Sequence, residues 1–289
     1  MIDLHSHLLP GVDDGSPNVE HSVFVLREQG KRGVADFCLT PHLTASALEA
    51  GVPAAHDAAF AALKKAAPSS PRLHRGAEVM LDRPLSAAAA ANPGFRIGGG
   101  PVMLVEFPRL VALDAVGSAL RSVVEQGVVP LLAHPERYSC CSPSAVARWR
   151  ELGALMQLDA TTLLQPTRRG DRARQLLSYG MGDIVAGDNH GDDRSIATLR
   201  DVLVAEGAGD AADILTRVNP GNVLEGKRLV DVPPITLKLS IASRLRRLLV
   251  SEEYRGRVRS AGVRRLVGVA RSQRRPARRH HRGDRQPSQ

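Results

Sequence analysis

The stretch MIDLHSHLLPGVDDG, residues 1–15, decides how the rest of the chain is read. A short apolar run ends in His5-Ser6-His7, and in an extended backbone alternate side chains share one face, so both imidazoles point the same way and can grip one metal ion. Asp13 and Asp14 follow in a turn bounded by Gly11 and Gly15, which gathers hard and borderline ligands at one strand mouth. Two histidines at this spacing also fit an ordinary polar loop, so the neighbouring segments have to decide between the two.

Outward from this stretch, short β-rich apolar runs alternate with amphipathic helical ones. The pattern predicts strands near 1–5, 36–40, 73–79, 102–107, 128–133, 154–158 and 183–187. Helices are predicted near 17–32, 53–66, 112–126, 143–152, 168–179 and 195–206, with Ser16 and Pro17 opening the first and Gly33, Gly127 and Gly153 closing others. Seven strand-and-helix units imply an α/β fold, a parallel (β/α)7 TIM-like barrel, over residues 1–226. A basic extension, 227–289, follows.

Ligand-type residues fall at the ends of these strands. The first delivers His5, His7 and Asp14, the second His42, and the third carries Glu78. The fourth carries Glu106, the fifth ends in His134 with Glu136 and Arg137, and the last ends in Asp188 and His190. In parallel barrels the C-terminal strand ends form the active-site face, so these separate signals converge on one mouth. Singly, each has a plainer reading: His42 as a loop histidine, Glu106 as a strand-edge carboxylate, Glu136 with Arg137 as a surface ion pair. Their joint placement outweighs those readings. His21, His56 and His74 lie in helical or polar stretches without acidic partners and read as structural or solvated.

Five histidines and four carboxylates exceed the three or four ligands of one zinc ion, so more than one metal is implied. Mixed nitrogen and oxygen ligation suits zinc, manganese or iron better than calcium. A carboxylate such as Glu78 is suited to bridge two ions, which would activate water and clamp the oxygens of a phosphate ester during in-line displacement. The planar fork of Arg137 would suit the phosphoryl oxygens.

The segments HSHLLPGVDDG, TPH, GAEV, VEFP, HPERY and GDNH, in this order, resemble the polymerase and histidinol phosphatase (PHP) superfamily. The VDDG turn and HPERY segment bring the resemblance closest to the bacterial tyrosine-protein phosphatases of capsule and exopolysaccharide loci, the CpsB/YwqE type, over residues 1 to about 226. The resemblance implies a distorted barrel with a trinuclear centre, manganese first and zinc or iron as alternatives. It implies that His5, His7, Glu78 and Asp188 hold one ion, Glu78, Glu106 and His134 a second, and Asp14, His42 and His190 a third. Arg137 would contact phosphate, and Asp14 would also help protonate the leaving phenolate. The implied substrate is phosphotyrosine on the partner kinase that controls polysaccharide assembly. Asp159 and Thr161 stand where an Asn- or Ser-containing strand end is expected, so substrate contacts there should differ.

Composition narrows the alternatives. Cysteine-dependent tyrosine phosphatases need an Arg six residues after the nucleophile, and Thr44, Val146 and Ala147 stand at those positions after Cys38, Cys140 and Cys141. Three cysteines give no even disulfide framework, and the N-terminus has no secretory pattern, so a cytoplasmic protein with reduced thiols is expected. The net charge of +9 divides into a body of −5 over residues 1–226 and an extension of +14 over 227–289. Within the extension Leu237, Ile241, Leu245, Leu248 and Leu249 recur at helical spacing with Arg244, Arg246 and Arg247 between them, a pattern suited to an anionic inner-membrane surface or to a solvated helix. The last fifteen or so residues read as disordered. Few aromatics accompany the basic residues, so no nucleic-acid partner is expected. A small-molecule phosphoesterase, for histidinol phosphate or a nucleotide, and a metal-free scaffold remain as alternatives, because fold does not fix function.

Overall fold

The computed structural model describes residues 1–239. Nine short strands run parallel to their neighbours: β1 (Ile2–Asp3), β2 (Asp36–Leu39), β3 (His42–Thr44), β4 (Arg72–Arg75), β5 (Glu78–Met80), β6 (Val102–Glu106), β7 (Val129–Ala133), β8 (Leu155–Asp159) and β9 (Ile184–Ala186). They form two sheets, β1-β2-β4 and β3-β5-β6-β7-β8-β9. The helices are α1 (Val19–Lys31), α2 (Ala54–Ala66), α3 (Ala87–Ala91), α4 (Leu113–Glu125), α5 (Pro143–Glu151), α6 (Ala160–Leu163), α7 (Arg168–Ser178), α8 (Ile196–Ala205), α9 (Gly209–Asp213) and α10 (Asn219–Leu224), with a π-helical turn, Ile214–Val218, before α10.

Two predicted strands are each broken in two. The strand expected over 36–40 continues past Thr40-Pro41 as β3, and the one over 73–79 is interrupted at Gly76-Ala77 before β5. The register is unchanged across the break, with Asp36 opposite Arg72 and His42 opposite Glu78. Pro41 has no N–H to give, so the ladder thins there without slipping.

The continuous closed barrel expected from the sequence is not formed. Among the described residues the β1 and β9 edges share one isolated parallel bridge, Ser6 with Asn189, in place of a strand ladder. The reason lies in Asp3: its carboxylate accepts the Gly187 N–H at 3.0 Å and the His5 N–H at 3.3 Å, engaging backbone donors that a strand ladder would otherwise use. A Cβ on Gly187 would lie 2.6 Å from Asp3 Oδ2, so only glycine admits this approach. Burial pushes Asp3 up to about 7, against the pull of those two donated bonds.

Helix α1 starts later than predicted, because Asn18 rather than Ser16 caps it, accepting the His21 N–H. Gly33, Gly127 and Gly153 do end helices, with φ of 87°, 75° and 95°, the left-handed conformation that glycine adopts without a Cβ penalty. Trp149, Phe37 and Phe95 are buried in the main aliphatic core. The first residues of the basic extension lie on the body: Val232, Ile235 and Leu237 are buried, and the Ile235 N–H donates to the Leu177 carbonyl at 3.1 Å. The amphipathic repeat from Ile241 to Leu249, the arginines within it and the tail expected to be disordered lie outside the described residues. Among the described residues no helix is long and apolar enough to cross a membrane.

Trp149 on α5 is 1% exposed, so Trp149→Ala leaves a large cavity and should cost about 3–5 kcal/mol. Urea unfolding measures this; a loss well below that range would mean that the layer under α5 collapses to fill the space.

Candidate metal centre

The site is built on strand ends. His5 and His7 follow β1, His42 opens β3, Glu78 opens β5, Glu106 closes β6, His134 follows β7, and Asp188 and His190 follow β9. The DDG turn brings Asp13 and Asp14 back over His7. A Cβ on Gly15 would lie 2.0 Å from the His7 carbonyl oxygen, so this return requires glycine. His134 and Asp188 both adopt left-handed backbone, with φ of 35° and 46°. That conformation costs a non-glycine residue on the order of 1–3 kcal/mol and persists only where the surroundings hold it.

Glu78 is the hub. Its buried Oε2 lies 3.2 Å from His5 Nε2, 3.3 Å from His7 Nε2 and 3.0 Å from His42 Nδ1, while Oε1 lies 2.8 Å from His134 Nε2. Asp188 Oδ1 is 3.3 Å from both His5 Nε2 and His7 Nε2. Despite these neighbours Glu78 Oε2 makes no well-directed hydrogen bond. A buried carboxylate oxygen faced by several imidazole nitrogens, all without good hydrogen-bond geometry, fits a cation at their centre.

Ligand atoms within 4.8 Å of one another form four groups: His5, His7 and Asp188; His5, Glu78 and His134; His42, Glu78 and Glu106; and His7, Asp14, His42 and His190. All nine ligand-type residues selected from the sequence are thus brought together. Asp14 lies at the open side, 3.6 Å from His42 Nε2 and 3.5 Å from His190 Nε2. His42 stands between two groups, with Nδ1 3.2 Å from Glu106 and Nε2 toward Asp14.

Outer residues aim the rings. His5 Nδ1 meets Gln157 Oε1 at 2.9 Å, His7 Nδ1 meets Asp13 Oδ2 at 2.8 Å, and His190 Nδ1 meets the Asp188 carbonyl at 3.0 Å. Each acceptor calls for a proton on Nδ1 and leaves the Nε2 lone pair free for a cation, the usual way second-layer groups fix a metal-binding imidazole. Gln157 and Asp13 were not selected as site residues. For Asp13 the adjacent DDG turn was the available signal; an isolated Gln at an inward strand position gives none.

Arg137 donates to both Asp159 and Asp188, which places its guanidinium beside the ligand cluster. Asp159 is held in turn by the N–H groups of Thr161 at 2.7 Å and Thr162 at 3.0 Å. Arg194 also reaches Asp188, at 3.3 Å. The surface ion pair considered for Glu136 and Arg137 is absent: Glu136 is buried and accepts the Asp159 N–H at 3.0 Å. Burial, with Asp159 adding to it, pushes Glu136 up to about 8. His74, read as lacking an acidic partner, meets Asp36 Oδ1 at 2.7 Å, reaching diagonally across the β2–β4 pair, in which Asp36 stands opposite Arg72 and His74 opposite Cys38.

At Glu78, Asp188, His5, His7 and His42 burial opposes charge and is outweighed by the opposite charges nearby, whereas at His190 burial and the charge on His7 prevail and lower the ring. The imidazoles hold Glu78 well below the usual carboxylate range, and His5, His7 and Arg137 do the same for Asp188. His5 and His7 are raised, and His42 reaches about 10 because Glu106 and Glu78 overcome its burial. Burial lifts the Cys38 and Cys141 thiols to about 12, which keeps them protonated near neutrality.

Residues 1–225 match the family described as capsular polysaccharide synthesis, CpsB/CapC, and the chain belongs to this family. The tyrosine-protein phosphatase CpsB of Streptococcus agalactiae is 24% identical over 205 residues, covering 66% of this chain and 83% of that protein. The tyrosine-protein phosphatase YwqE of Bacillus subtilis is 26% identical over 167 residues, covering 56% of this chain and 66% of that protein. A crystal structure from work on YwqE of Bacillus subtilis and CpsB of Streptococcus pneumoniae, described as metal-dependent tyrosine phosphatases, superposes with a TM-score of 0.68 at 23% identity. It covers 82% of this chain and all of that one, so the two share a fold.

Two outcomes follow from the geometry. Gln157→Leu removes the partner of His5 Nδ1 and should weaken metal binding about 10–100-fold, read by titration of the apoprotein against a chelating indicator. In protein stripped of metal, His42 titrates near 10 when folded, against 6.5 as the reference for the unfolded chain. Its contribution to stability is complete below about 6.5 and is lost as pH rises through about 10. Protons and cations compete for the same nitrogens, so the thermal stabilisation gained from added divalent cation should grow from about pH 6 to about pH 9. A gain that shrinks over that range contradicts the arrangement.

Proposed function

We propose that this chain is a metal-dependent protein-tyrosine phosphatase, a phosphoric monoester hydrolase whose catalytic unit lies in residues 1–226 and carries the basic extension 227–289 behind it. The observation that carries this reading is the Glu78 hub, a buried carboxylate ringed by His5, His7, His42 and His134, with an arginine beside the same cluster. The names of the relatives supply the ester: those from Streptococcus agalactiae and Bacillus subtilis are tyrosine-protein phosphatases.

His5, His7, Glu78 and Asp188 would hold one ion, Glu78, Glu106 and His134 a second, and Asp14, His42 and His190 a third, with manganese the first choice and zinc or iron the alternatives. Bound there, the ions would activate water and neutralise the phosphoryl oxygens. Arg137, fixed by Asp159 and Asp188, is positioned to orient the phosphate through its planar fork. Asp14, on the open side, is placed to hand a proton to the departing phenolate. The parallel strands would then stand as a distorted seven-stranded barrel around the ions. The substrate we assign is phosphotyrosine on the kinase of a polysaccharide-assembly system, met in the cytoplasm or at the inner face of the membrane.

The test compares a phosphotyrosine peptide, a phosphoserine peptide and histidinol phosphate, each with and without manganese. Manganese-dependent release from the phosphotyrosine peptide alone is expected; preference for histidinol phosphate would move the chain to a small-molecule reaction. His134→Ala and Asp188→Ala should abolish turnover and reduce bound metal. Arg137→Ala should lower activity about 10²–10³-fold with metal content retained, the size of effect seen when one oriented donor to the transition state is lost.

A further inference from the structure

Strands β6, β7 and β8 are neighbours in the larger sheet, so the segments leaving their C-terminal ends lie side by side at the mouth. The middle segment, His134 to Ser139, carries Arg137. On one side, the Arg109 carbonyl accepts the Ser139 N–H at 2.8 Å, so the loop after β6 is tied to the Arg137 segment. On the other, Arg172 of α7 donates to the Glu136 carbonyl at 2.9 Å and the Tyr138 carbonyl at 2.5 Å. Arg169, one helical turn earlier on the same side of α7, is carried toward the mouth.

The guanidinium groups in this region fall into two kinds. Those of Arg172 and Arg174 are bound to backbone carbonyls and have structural work. Arg109 and Arg169 are exposed, and neither meets a carboxylate among the described residues. Burial and the positive charges of Arg109, Arg137 and Arg172 lower Arg169, consistent with an unbalanced cluster. Beside Arg109, Leu110 is 83% exposed, the largest exposure of any large apolar side chain among the described residues. A positive rim with one apolar knob, on a body of net −5, is complementary to a strand of polypeptide with acidic residues and an apolar one.

We propose that Arg109, Leu110 and Arg169 form the rim that selects the polypeptide around the phosphotyrosine, favouring carboxylate side chains flanking the phosphorylated residue and seating an apolar neighbour on Leu110. This rests on the phosphotyrosine reading of the metal centre. Exposed pairs of this kind contribute on the order of 0.2–1 kcal/mol each, so two of them give about 2–30-fold discrimination between acidic and neutral flanks, and basic flanks are disfavoured further.

The experiment measures kcat/KM for phosphotyrosine peptides of one length with acidic, neutral and basic flanks, using the metal-loaded full chain and the charge-reversed R109E/R169E protein. The readout is the acidic-to-basic ratio within each protein, so any loss of folded enzyme cancels. The ratio should exceed one in the parent, fall as salt is raised and invert in the variant. A parent that hydrolyses all three equally, or a variant with the parent's ratio, overturns the rim while leaving the phosphotyrosine reading intact. A variant that keeps the ratio but no longer binds phosphatidylglycerol vesicles assigns the patch to a membrane surface and overturns the proposal. If the parent releases phosphate from none of the peptides, the reading of the site itself fails and the rim falls with it.

Discussion

Glu78 sets the terms for everything around it. An unpaired carboxylate moved into a protein interior costs several kcal/mol even after relaxation, so positive charge has to be brought to it. The chain supplies imidazoles from three separate strand ends, at His5 and His7, His42, and His134. They can converge on one carboxylate only because β1, β3, β5 and β7 run parallel and present the same ends to the same mouth. The result is a cluster whose negative charge is balanced by protons when nothing else is present and by cations when they are available. Competition between the two is built into the chemistry of the ligand set.

Converging is not enough, because an imidazole can offer either nitrogen. Gln157, Asp13 and the Asp188 carbonyl engage the Nδ1 atoms of His5, His7 and His190 and so choose the face that looks inward. The same requirement explains where the backbone departs from comfort. His134 and Asp188 are the two non-glycine residues in left-handed conformation among those described, and both carry ligand atoms. Asp3 belongs to this layer too: it engages the His5 and Gly187 N–H groups and thereby fixes the approach to two ligand-bearing segments, while leaving the β1–β9 seam as a single bridge.

The sequence placed most of the ligand-type residues at one mouth because they lie at the ends of apolar runs, and strand ends are where periodicity changes. His5, His42, His134 and Asp188 could be placed on one mouth from that alone. What it did not carry was whatever depends on a partner far along the chain. Gln157 is 152 residues from His5, and its role exists only once β8 stands beside β7 and β9. Asp3 looked like an ordinary residue in a first strand, yet its carboxylate decides how the two sheets meet. For Glu136 beside Arg137 an exposed pair stood as the plainer alternative, because nothing local says that the segment turns Glu136 inward and Arg137 toward the cluster.

Arg137 shows how one departure from the expected pattern alters the electrostatics without altering the ligands. The strand end at 159 bears a carboxylate where a neutral Asn or Ser was expected, and that carboxylate is locked by two backbone N–H groups before it meets the guanidinium. Arg137 is therefore held in place by two anions, one of them a ligand to the cluster, and is preorganised beside it. The same pairing neutralises part of its charge, so a phosphate bound as proposed would have to draw on the outer lobes of the guanidinium or displace Asp159. Arg194 also reaches Asp188, but Asp192 pairs with the same guanidinium, so the two arginines are matched by carboxylates on every side. On the proposed reading the phosphate-facing edge would be defined by geometry more than by net charge, which would leave discrimination among polypeptides to residues farther out on the mouth, where charge is not already paired.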